Sequence, residues 1–534
     1  MRAAEALAGW IAFASLLLAA GCGPRAQEPA AAGPTPTGSA QRAASRPPVE
    51  LRILFTSDEH GWVAPVAEAG KPGRDGAPVL LTLWREREGH CVPSPADRCE
   101  SSGTLALSGG DNWTGPAMSS FFQGEVAAET MKRLGYAASA FGNHELDFGR
   151  KAFDRNRAIQ GFPYLAANVV PPLEGGGVAI PFAVFQRRGV KVGVIGLATK
   201  TTPLAGMRAN YDGLTFGDEE EALTRAVPAT YAAGADVVVV IGHVCGEELA
   251  PIVEKHPDWA LAFVGGGHCH KLSRRVAAGV NVVEAGSFLR HYLRATLAVD
   301  LERPAKQRLA SARVDEIDLS HAEGAPPLAA PDPELAALVE TWRKKTDEAL
   351  GEVLGFAGEP LEPDSAGLAN FITDRWREAT GADVAILNRF GTRQAINRGT
   401  IKLETIHSVL PFTNRLVTVK VTGKELIEDV TCCGGHVSGV RIDEDGQVVL
   451  EGGAAIDPQK RYTVVSTDYA YYGGSGFPLE KQDPKGVFGE DWREPLVRFL
   501  RKNPTREGKG LETLVDRTPR VKEKKKRERH EKKK

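Results

Sequence analysis

A chain of 534 residues with 42 % hydrophobic and 25 % charged positions has the length for two or three domains with sizeable cores, which excludes a wholly disordered chain and a multispanning membrane protein. Ten Lys/Arg against three Glu between Arg520 and Lys534 make a +7 tail and leave −9 on the rest of a chain totalling −2, so the body is not built to grip nucleic acid and no specific nucleic-acid partner is expected. Seven cysteines are too few for a disulfide-held scaffold in a chain this long.

Arg2 precedes an apolar run from about Ala6 to Ala20, followed by Gly21 and Cys22. The run is too short for a comfortable membrane span, and small residues and prolines follow it at once, so 1–21 reads as a secretory signal. Its end, Leu-Ala-Ala-Gly-Cys, resembles a bacterial lipoprotein lipobox, which implies that Cys22 is acylated and becomes the mature N-terminus. Residues 22–49 are rich in Pro, Ala, Gly, Ser and Thr and serve as a tether. The expectation is an exported lipoprotein, periplasmic or at the cell surface, held to a membrane by its N-terminal lipid. Gly23 in place of Asp leans towards the outer membrane. Export implies an oxidising compartment. Cys91 and Cys99 flank a polar loop and are candidates to pair, as are Cys245 and Cys269, whereas adjacent Cys432 and Cys433 would be strained as a mutual pair. Connectivity does not follow from sequence.

Between 50 and 325, strand-like runs at 51–57, 104–110, 138–143, 192–198, 236–243, 261–268 and 280–287 alternate with helical stretches such as 124–134 and 219–233. Continuous Val/Ile/Leu runs suggest strands covered on both faces, hence a layered α/β domain. Pro-rich boundary signals near 302–307 and 323–334 precede a linker helix within 326–351. A smaller domain follows over 352–516, with strands at 382–388, 415–422 and 461–467. The basic segment 517–534 reads as a disordered tail.

Five strand candidates of the first domain end in groups able to bind metal. They are Asp58-Glu59-His60-Gly61, Gly110-Asp111-Asn112, Gly142-Asn143-His144-Glu145, Gly242-His243 and Gly267-His268-Cys269-His270. In α/β sheets, ligands gather beyond the carboxyl ends of strands, so these groups can meet in one crevice. Two Asp, one Asn and four His form an oxygen/nitrogen set suited to Mn, Zn, Fe or Co. Seven ligands exceed one tetrahedral ion and fit two divalent ions sharing a carboxylate. Glu59 and Glu145 read as local hydrogen-bonding or solvated groups. His90, His256, His291, His321, His407, His436 and His530 occur in no such setting.

These motifs resemble those of the bacterial 5′-nucleotidase family, a calcineurin-like metallophosphoesterase domain followed by a 5′-nucleotidase C-terminal domain. DEHG (58–61) is similar to the family's D-x-H-G, GD (110–111) to its bridging-Asp motif, GNHELD (142–147) to its GNHE-x-D, and GH (242–243) and GHCH (267–270) to its G-H and G-H-x-H. The resemblance implies a four-layer αββα sandwich with a smaller α/β domain behind it. It implies one metal on Asp58, His60, Asp111 and His270 and a second on Asp111, Asn143, His243 and His268. His144 and Asp147 match the catalytic pair: a His beside a phosphoryl group stabilises developing charge, and an Asp three residues on orients it.

In the second domain NRFGTR (388–393) resembles N-G-G-G-x-R and keeps Asn388, Gly391 and Arg393. VLPFTNRLV (409–417) is similar to V-L-P-F-x-N-x-L-V, which puts Phe412 at a base-stacking position. DYAYYGGSGF (468–477) resembles F-x-x-x-G-G-D-G-F, which puts Tyr469 on the opposite base face. Three departures alter the specificity half. Arg389 and Phe390 replace glycines, Ser475 replaces an Asp suited to ribose hydroxyls, and no Arg precedes the segment 364–374, with Arg389 as a candidate substitute. The implied function is a two-metal phosphoester hydrolase acting on a small-molecule nucleotide or another phosphoester. Cyclic-nucleotide phosphodiesterase, nucleotide-sugar pyrophosphatase and thiosulfohydrolase activities stay open on the same architecture, as does a surface binding lipoprotein without activity.

Overall fold

The computed structural model describes residues 46–66, 73–433 and 435–521. The signal, Cys22, most of the tether and the segment 522–534 with His530 lie outside the described residues. Among the described residues no helix is long and apolar enough to cross a membrane.

The first domain is built on five strands that lead to the site: β1 (Val49–Thr56), β2 (Thr104–Ser108), β3 (Tyr136–Ala140), β4 (Val237–His243) and β5 (Leu261–Gly266). One six-stranded sheet runs Leu309–Asp318, His291–Val299, β1, β2, β3, Tyr164–Leu165. The other runs Leu272–Ala277, Val280–Ala285, β5, β4, Val190–Ala198, Phe182–Arg187. β1 to β3 are mutually parallel, and so are β4 and β5. Side-chain alternation along β1 sends Ile53 and Phe55 between the sheets, against Val239, Ile241 and Phe263. Leu54 points the other way, towards helices α1 (Gly76–Glu88) and α2 (Glu125–Leu134). Helices α3 (Glu219–Ala232) and α4 (Gly246–Lys255) cover the outer face of the second sheet. The result is the four-layer αββα sandwich, and its double coverage explains why the strands read as unbroken apolar runs.

The antiparallel edge of the first sheet is absent from the sequence reading. His291–Val299 and Leu309–Asp318 pair residue by residue, so the Pro-rich 302–307 segment is a hairpin connection and not a boundary. In Leu309–Asp318 only Val314 is fully buried, so the strand has no continuous apolar run to announce it.

Helix α5 (Pro333–Leu350) is capped by Asp332, whose carboxylate accepts from Leu335 N at 2.9 Å. Leu335, Val339 and Trp342 share one face and enter the first-domain core, and Trp342 Nε1 donates to Glu129 at 2.9 Å. The second domain follows, with α6 (Ala366–Thr380), β6 (Val384–Leu387), α7 (Leu403–Val409), β7 (Arg415–Thr422) and β8 (Arg461–Thr467). Its five-stranded sheet has the order His436–Ser438, β6, β8, β7, Val487–Asp491.

Two readings of the sequence change. The start of the basic tail is ordered: Arg520 donates to Asp374 at 2.6 Å, its carbonyl accepts from Ile442 N at 2.8 Å, and Asn370 holds the carbonyls of Asp516 and Thr518. Composition alone does not reveal these buried partners. All six described cysteines are paired, as Cys91–Cys99, Cys245–Cys269 and the adjacent Cys432–Cys433.

Candidate metal centre and substrate cavity

The turns after the five strands bring the seven candidate ligands together. Asp58 and His60 follow β1, Asp111 follows β2, Asn143 follows β3, His243 ends β4, and His268 and His270 follow β5. Asp58, His60, Asp111, His268 and His270 all have positive φ, between 47° and 75°. This left-handed backbone is uncommon for residues other than glycine, and its clustering here marks a site whose geometry the surrounding sheets impose. Gly267 permits the approach of the last turn, since a Cβ there would meet Asp58 Oδ2 and the Gly109 carbonyl at 3.1 Å.

Ligand atoms of Asp58, His60 and His270 lie within 4.8 Å of one another, as do those of Asp58, Asp111 and His243. Asp111 Oδ2 stands between the two halves, 3.6 Å from His60 Nε2 and 3.0 Å from His243 Nε2. Backbone carbonyls orient the rings: His60 Nδ1 lies 2.6 Å from Thr114 O, and His243 Nδ1 lies 2.9 Å from Gly109 O. Each Nδ1 therefore carries a proton and each Nε2 faces inward. His60 Nε2 then meets His270 Nε2 at 3.1 Å, and His243 Nε2 meets Asn143 Oδ1 at 3.0 Å. Electron-pair donors so close together need a proton or a cation between them. In the bare protein, protons fill that need. Burial pushes Asp58 up to about 8 against the pull of His243. His243 rises to about 10, burial opposing the facing Asp111 and Asp58 carboxylates. Burial lowers His268 to about 4 and His270 to about 3. Burial would also raise Asp111, but the imidazoles of His243 and His144 hold it well below the usual carboxylate range. Mixed O/N donors with inward lone pairs fit divalent cations, which would displace these protons.

His144 is 7 % exposed. Its Nδ1 lies 2.7 Å from Asp147 Oδ2, which Thr114 Oγ1 also contacts at 2.7 Å, and its Nε2 lies 4.0 Å from Asp111 Oδ2. Glu59 and Glu145 are buried hydrogen-bonding groups, not solvated ones. Glu59 accepts from Ser108 at 2.9 Å, and Glu145 accepts from the backbone N–H of Asn112 at 2.9 Å and of Asp111 at 3.2 Å. They buttress the turns that carry Asp58 and Asp111.

A cavity of about 850 Å³ opens from this cluster towards the second domain. Asp111, Asn143, His144, Asp147, His268 and His270 line one side, and Asn388, Arg393, Phe412, Tyr469 and Ser475 the other. The half-buried Arg393 guanidinium approaches His60 Nε2 at 3.5 Å. Phe412 stacks on His144, with ring centroids 5.6 Å apart and planes 25° off parallel, and lies 5.7 Å from the Arg393 guanidinium carbon. Tyr469 rests on Gly474, where a Cβ would lie 2.5 Å from its ring, and its hydroxyl donates to Leu204 O at 3.1 Å. Ser475 is exposed and donates its N–H to the Tyr469 hydroxyl at 3.1 Å.

Residues 354–482 match the family model described as 5′-nucleotidase, C-terminal domain. Over 521 residues the chain is 25 % identical to protein UshA of Salmonella pullorum, covering 85 % of this chain and 91 % of that one. It is also 25 % identical over 516 residues to a 5′-nucleotidase of Vibrio cholerae serotype O1, covering 84 % and 89 %. A solved 5′-nucleotidase precursor from Thermus thermophilus superposes over 89 % of this chain and 99 % of its own, with a TM-score of 0.73 at 23 % identity. Residues 354–482 carry the 5′-nucleotidase C-terminal domain, and the chain as a whole is similar to 5′-nucleotidases. The sulfate thiohydrolase SoxB of Thermus thermophilus shares the fold, with a TM-score of 0.66 at 18 % identity over 88 % and 96 % of the two chains.

Within this 5′-nucleotidase-like chain, two groups of residues around the site escape the sequence motifs. The first is a wall from the first domain, Ala205, Gly206, Met207 and Asn210. It is pinned because Asn210 Nδ2 donates to Leu146 O at 2.7 Å and Tyr211 bonds to Asn143 O. The second is Arg493, 7 % exposed, whose Nε donates to Leu410 O at 2.7 Å and whose Nη2 donates to Phe412 O. Trp492 Nε1 also reaches Phe412 O, at 3.1 Å. Neither group has a spacing signal, because the partners are backbone carbonyls remote in sequence, about 80 residues away for Arg493 and Trp492.

Proposed function

We propose that this chain releases inorganic phosphate from nucleotides, with the seven strand-end groups holding two divalent ions. Its similarity to 5′-nucleotidases supports reading it as a metal-dependent phosphoester hydrolase. Asp58, His60, Asp111 and His270 would hold one ion, and Asp111, Asn143, His243 and His268 the other. When bound, such ions supply a water of lowered pKa and neutralise phosphoryl charge. The chain's own residues do the rest. Arg393, beside His60, orients a phosphoryl oxygen. His144 presents Nε2 to the same space while Asp147 holds its Nδ1 proton, so the ring can donate to the group on which charge develops. Asn388, Tyr469 and Ser475 receive the nucleoside, with Phe412 forming the wall between nucleoside and phosphoryl.

The observation that carries this reading is the continuity of one cavity from the strand-end cluster to the aromatic residues of the second domain. The test is hydrolysis of AMP, UDP-glucose, 2′,3′-cyclic AMP and p-nitrophenyl phosphate by Mn- or Zn-loaded protein, read by chromatography of the products, because opening a cyclic phosphodiester or cleaving a pyrophosphate bond frees no inorganic phosphate. AMP is expected to lead. Preference for the cyclic or sugar-linked substrate would transfer the reading to that activity, and no hydrolysis of any would contradict it.

The lipobox-like end of 1–22 supports export and anchoring through Cys22, with a periplasmic or cell-surface location. Cys22→Ser is expected to free the protein from membranes at unchanged specific activity. Retention on membranes would point to another anchor.

A further inference from the structure

Cys245 and Cys269 stand inside the strand-end motifs without belonging to the seven candidate ligands. Cys245 follows His243 by two residues, and Cys269 lies between His268 and His270. Their disulfide therefore ties the end of β4 to the turn after β5, which carries one candidate ligand for each ion. That turn is the least buried of the five. Asp58, His60, Asp111, Asn143 and His243 are buried, whereas His268 and His270 are half-buried. Both also hold positive φ, 75° and 54°, a strained backbone that persists only where the surroundings enforce it. Two hydrogen bonds help: His268 N donates to the Asp58 carboxylate at 3.0 Å, and Gly267 N donates to Val244 O at 3.1 Å. The disulfide is the covalent tie. Its surroundings suit a bond that opens. Cys269 is half-exposed and lines the cavity, while Cys245 is buried at the N-cap of α4. Glu284, 1 % exposed, has a carboxylate oxygen within 4.8 Å of both sulfurs, and its Oε1 has no hydrogen-bond partner among the described residues. A buried acceptor left unpaired is costly. A disulfide has no hydrogen to give it, and a thiol has one.

We propose that Cys245–Cys269 is a redox-addressed lock on the metal centre: closed, it sets His268 and His270 for metal, and a dithiol reductant opens it. The inference rests on the reading that the seven strand-end groups hold two divalent ions. In the opening, a thiolate of the dithiol attacks Cys269 Sγ, the sulfur at the cavity, and the disulfide bond breaks. Cys245 leaves as a thiolate at the start of α4, where backbone N–H groups favour negative charge, and takes up a proton. The second thiol of the reductant then displaces Cys269. The reductant ends as a disulfide, oxidised by two electrons, and its two protons end on Cys245 and Cys269. The new thiols supply the donor that Glu284 Oε1 lacks. The coupling is reciprocal: the factor by which opening weakens metal binding is the factor by which bound metal resists opening.

The test titrates full-length protein with Mn by calorimetry, oxidised and after dithiothreitol treatment, with the reductant removed under argon. Alkylation and mass spectrometry report which cysteines have opened, and circular dichroism reports that the chain stays folded. Opening Cys245–Cys269 is expected to weaken Mn binding about tenfold or more, the cost of losing a support behind metal ligands, and reoxidation to restore it. Cys245→Ser/Cys269→Ser is expected to show the same loss without reductant. Cys91→Ser/Cys99→Ser, whose bond lies outside the ligand turns, is expected to keep Mn affinity within twofold. Bound Mn is expected to raise the dithiothreitol concentration that opening requires. Three results would each overturn the lock: a Cys245–Cys269 bond that dithiothreitol does not open in the folded protein, Mn affinity within twofold after opening, or equal loss in both double variants. An oxidised parent that binds no Mn would overturn the metal-centre reading itself, and the lock with it.

Discussion

The two sides of the cavity are held by different means. On the first-domain side, chemistry sits on turns directly after buried parallel strands, and backbone carbonyls or a carboxylate orient the rings of His60, His243 and His144. The second-domain side is made of the loops Asn388–Arg393 and Leu410–Asn414 and the short helical turns of Tyr469–Ser475, and distant hydrogen bonds hold the loops, such as that from Arg493 to Leu410 O and that from Thr392 to the Asp364 carboxylate. The strand-end side has little freedom to vary without losing its cluster. The loop side can change residues while the backbone path survives, which is where Arg389, Phe390 and Ser475 stand. Reaction type and substrate choice are thus divided between two kinds of scaffold.

The largest effects are expected on the first side. Asp111→Ala removes the carboxylate between both halves of the cluster, so metal content by mass spectrometry and activity should fall together, activity by more than about 10³-fold. His144→Ala should separate the two readouts, keeping both metals while kcat falls on the order of 10²-fold or more. Loss of half the metal in that variant would break the division between ligands and catalytic pair.

Smaller, substrate-dependent effects are expected on the second side. Tyr469→Ala should lower kcat/KM for AMP about ten- to a hundredfold, from a stacking contribution of ~1–3 kcal/mol, and should affect p-nitrophenyl phosphate much less. Phe412→Ala should slow both substrates, because its ring also packs on His144. Ser475→Asp should improve AMP hydrolysis selectively, a carboxylate accepting ribose hydrogen bonds more strongly. Equal slowing of both substrates by Tyr469→Ala would remove the nucleoside from the account of the second domain.

Arg493→Met sharpens the same contrast through stability. It leaves the Leu410 carbonyl buried and unpaired, a cost of about 1–3 kcal/mol in denaturant titration, and it should raise KM for AMP by loosening the Phe412 segment. The smallest effect is a pH dependence remote from both sides. Buried Asp429 is pushed up to about 6, and its Oδ2 has no hydrogen-bond partner among the described residues. The folded chain therefore holds this proton more tightly than the unfolded one, and stability falls as pH rises from about 4 to about 6. Asp429→Asn should raise Tm at pH 8 and change it little at pH 4. An equal rise at both would assign the effect to packing.

Legibility in the sequence follows the same division. The sandwich and its site residues were readable because doubly covered strands are apolar throughout and each ends in a short polar motif. Asp58, His60, Asp111, Asn143, His243, His268 and His270 all fall at such ends. The antiparallel edge was not readable, since Leu309–Asp318 buries one residue fully. Nor were Arg493, Met207 and Asn210, because their roles arise from contacts between segments remote in sequence. The ordering of Arg520 was hidden for the same reason: a run of charges follows it from Lys522 in the sequence, and its partners in space are Asp374 and Asp516.

The most direct test of the central claim is phosphate release from AMP by chelator-stripped protein, followed through titration with Mn. Stripped protein should be silent, and activity should return as two ions bind per chain. Full activity after stripping, or two bound ions with no release of phosphate, would contradict the account.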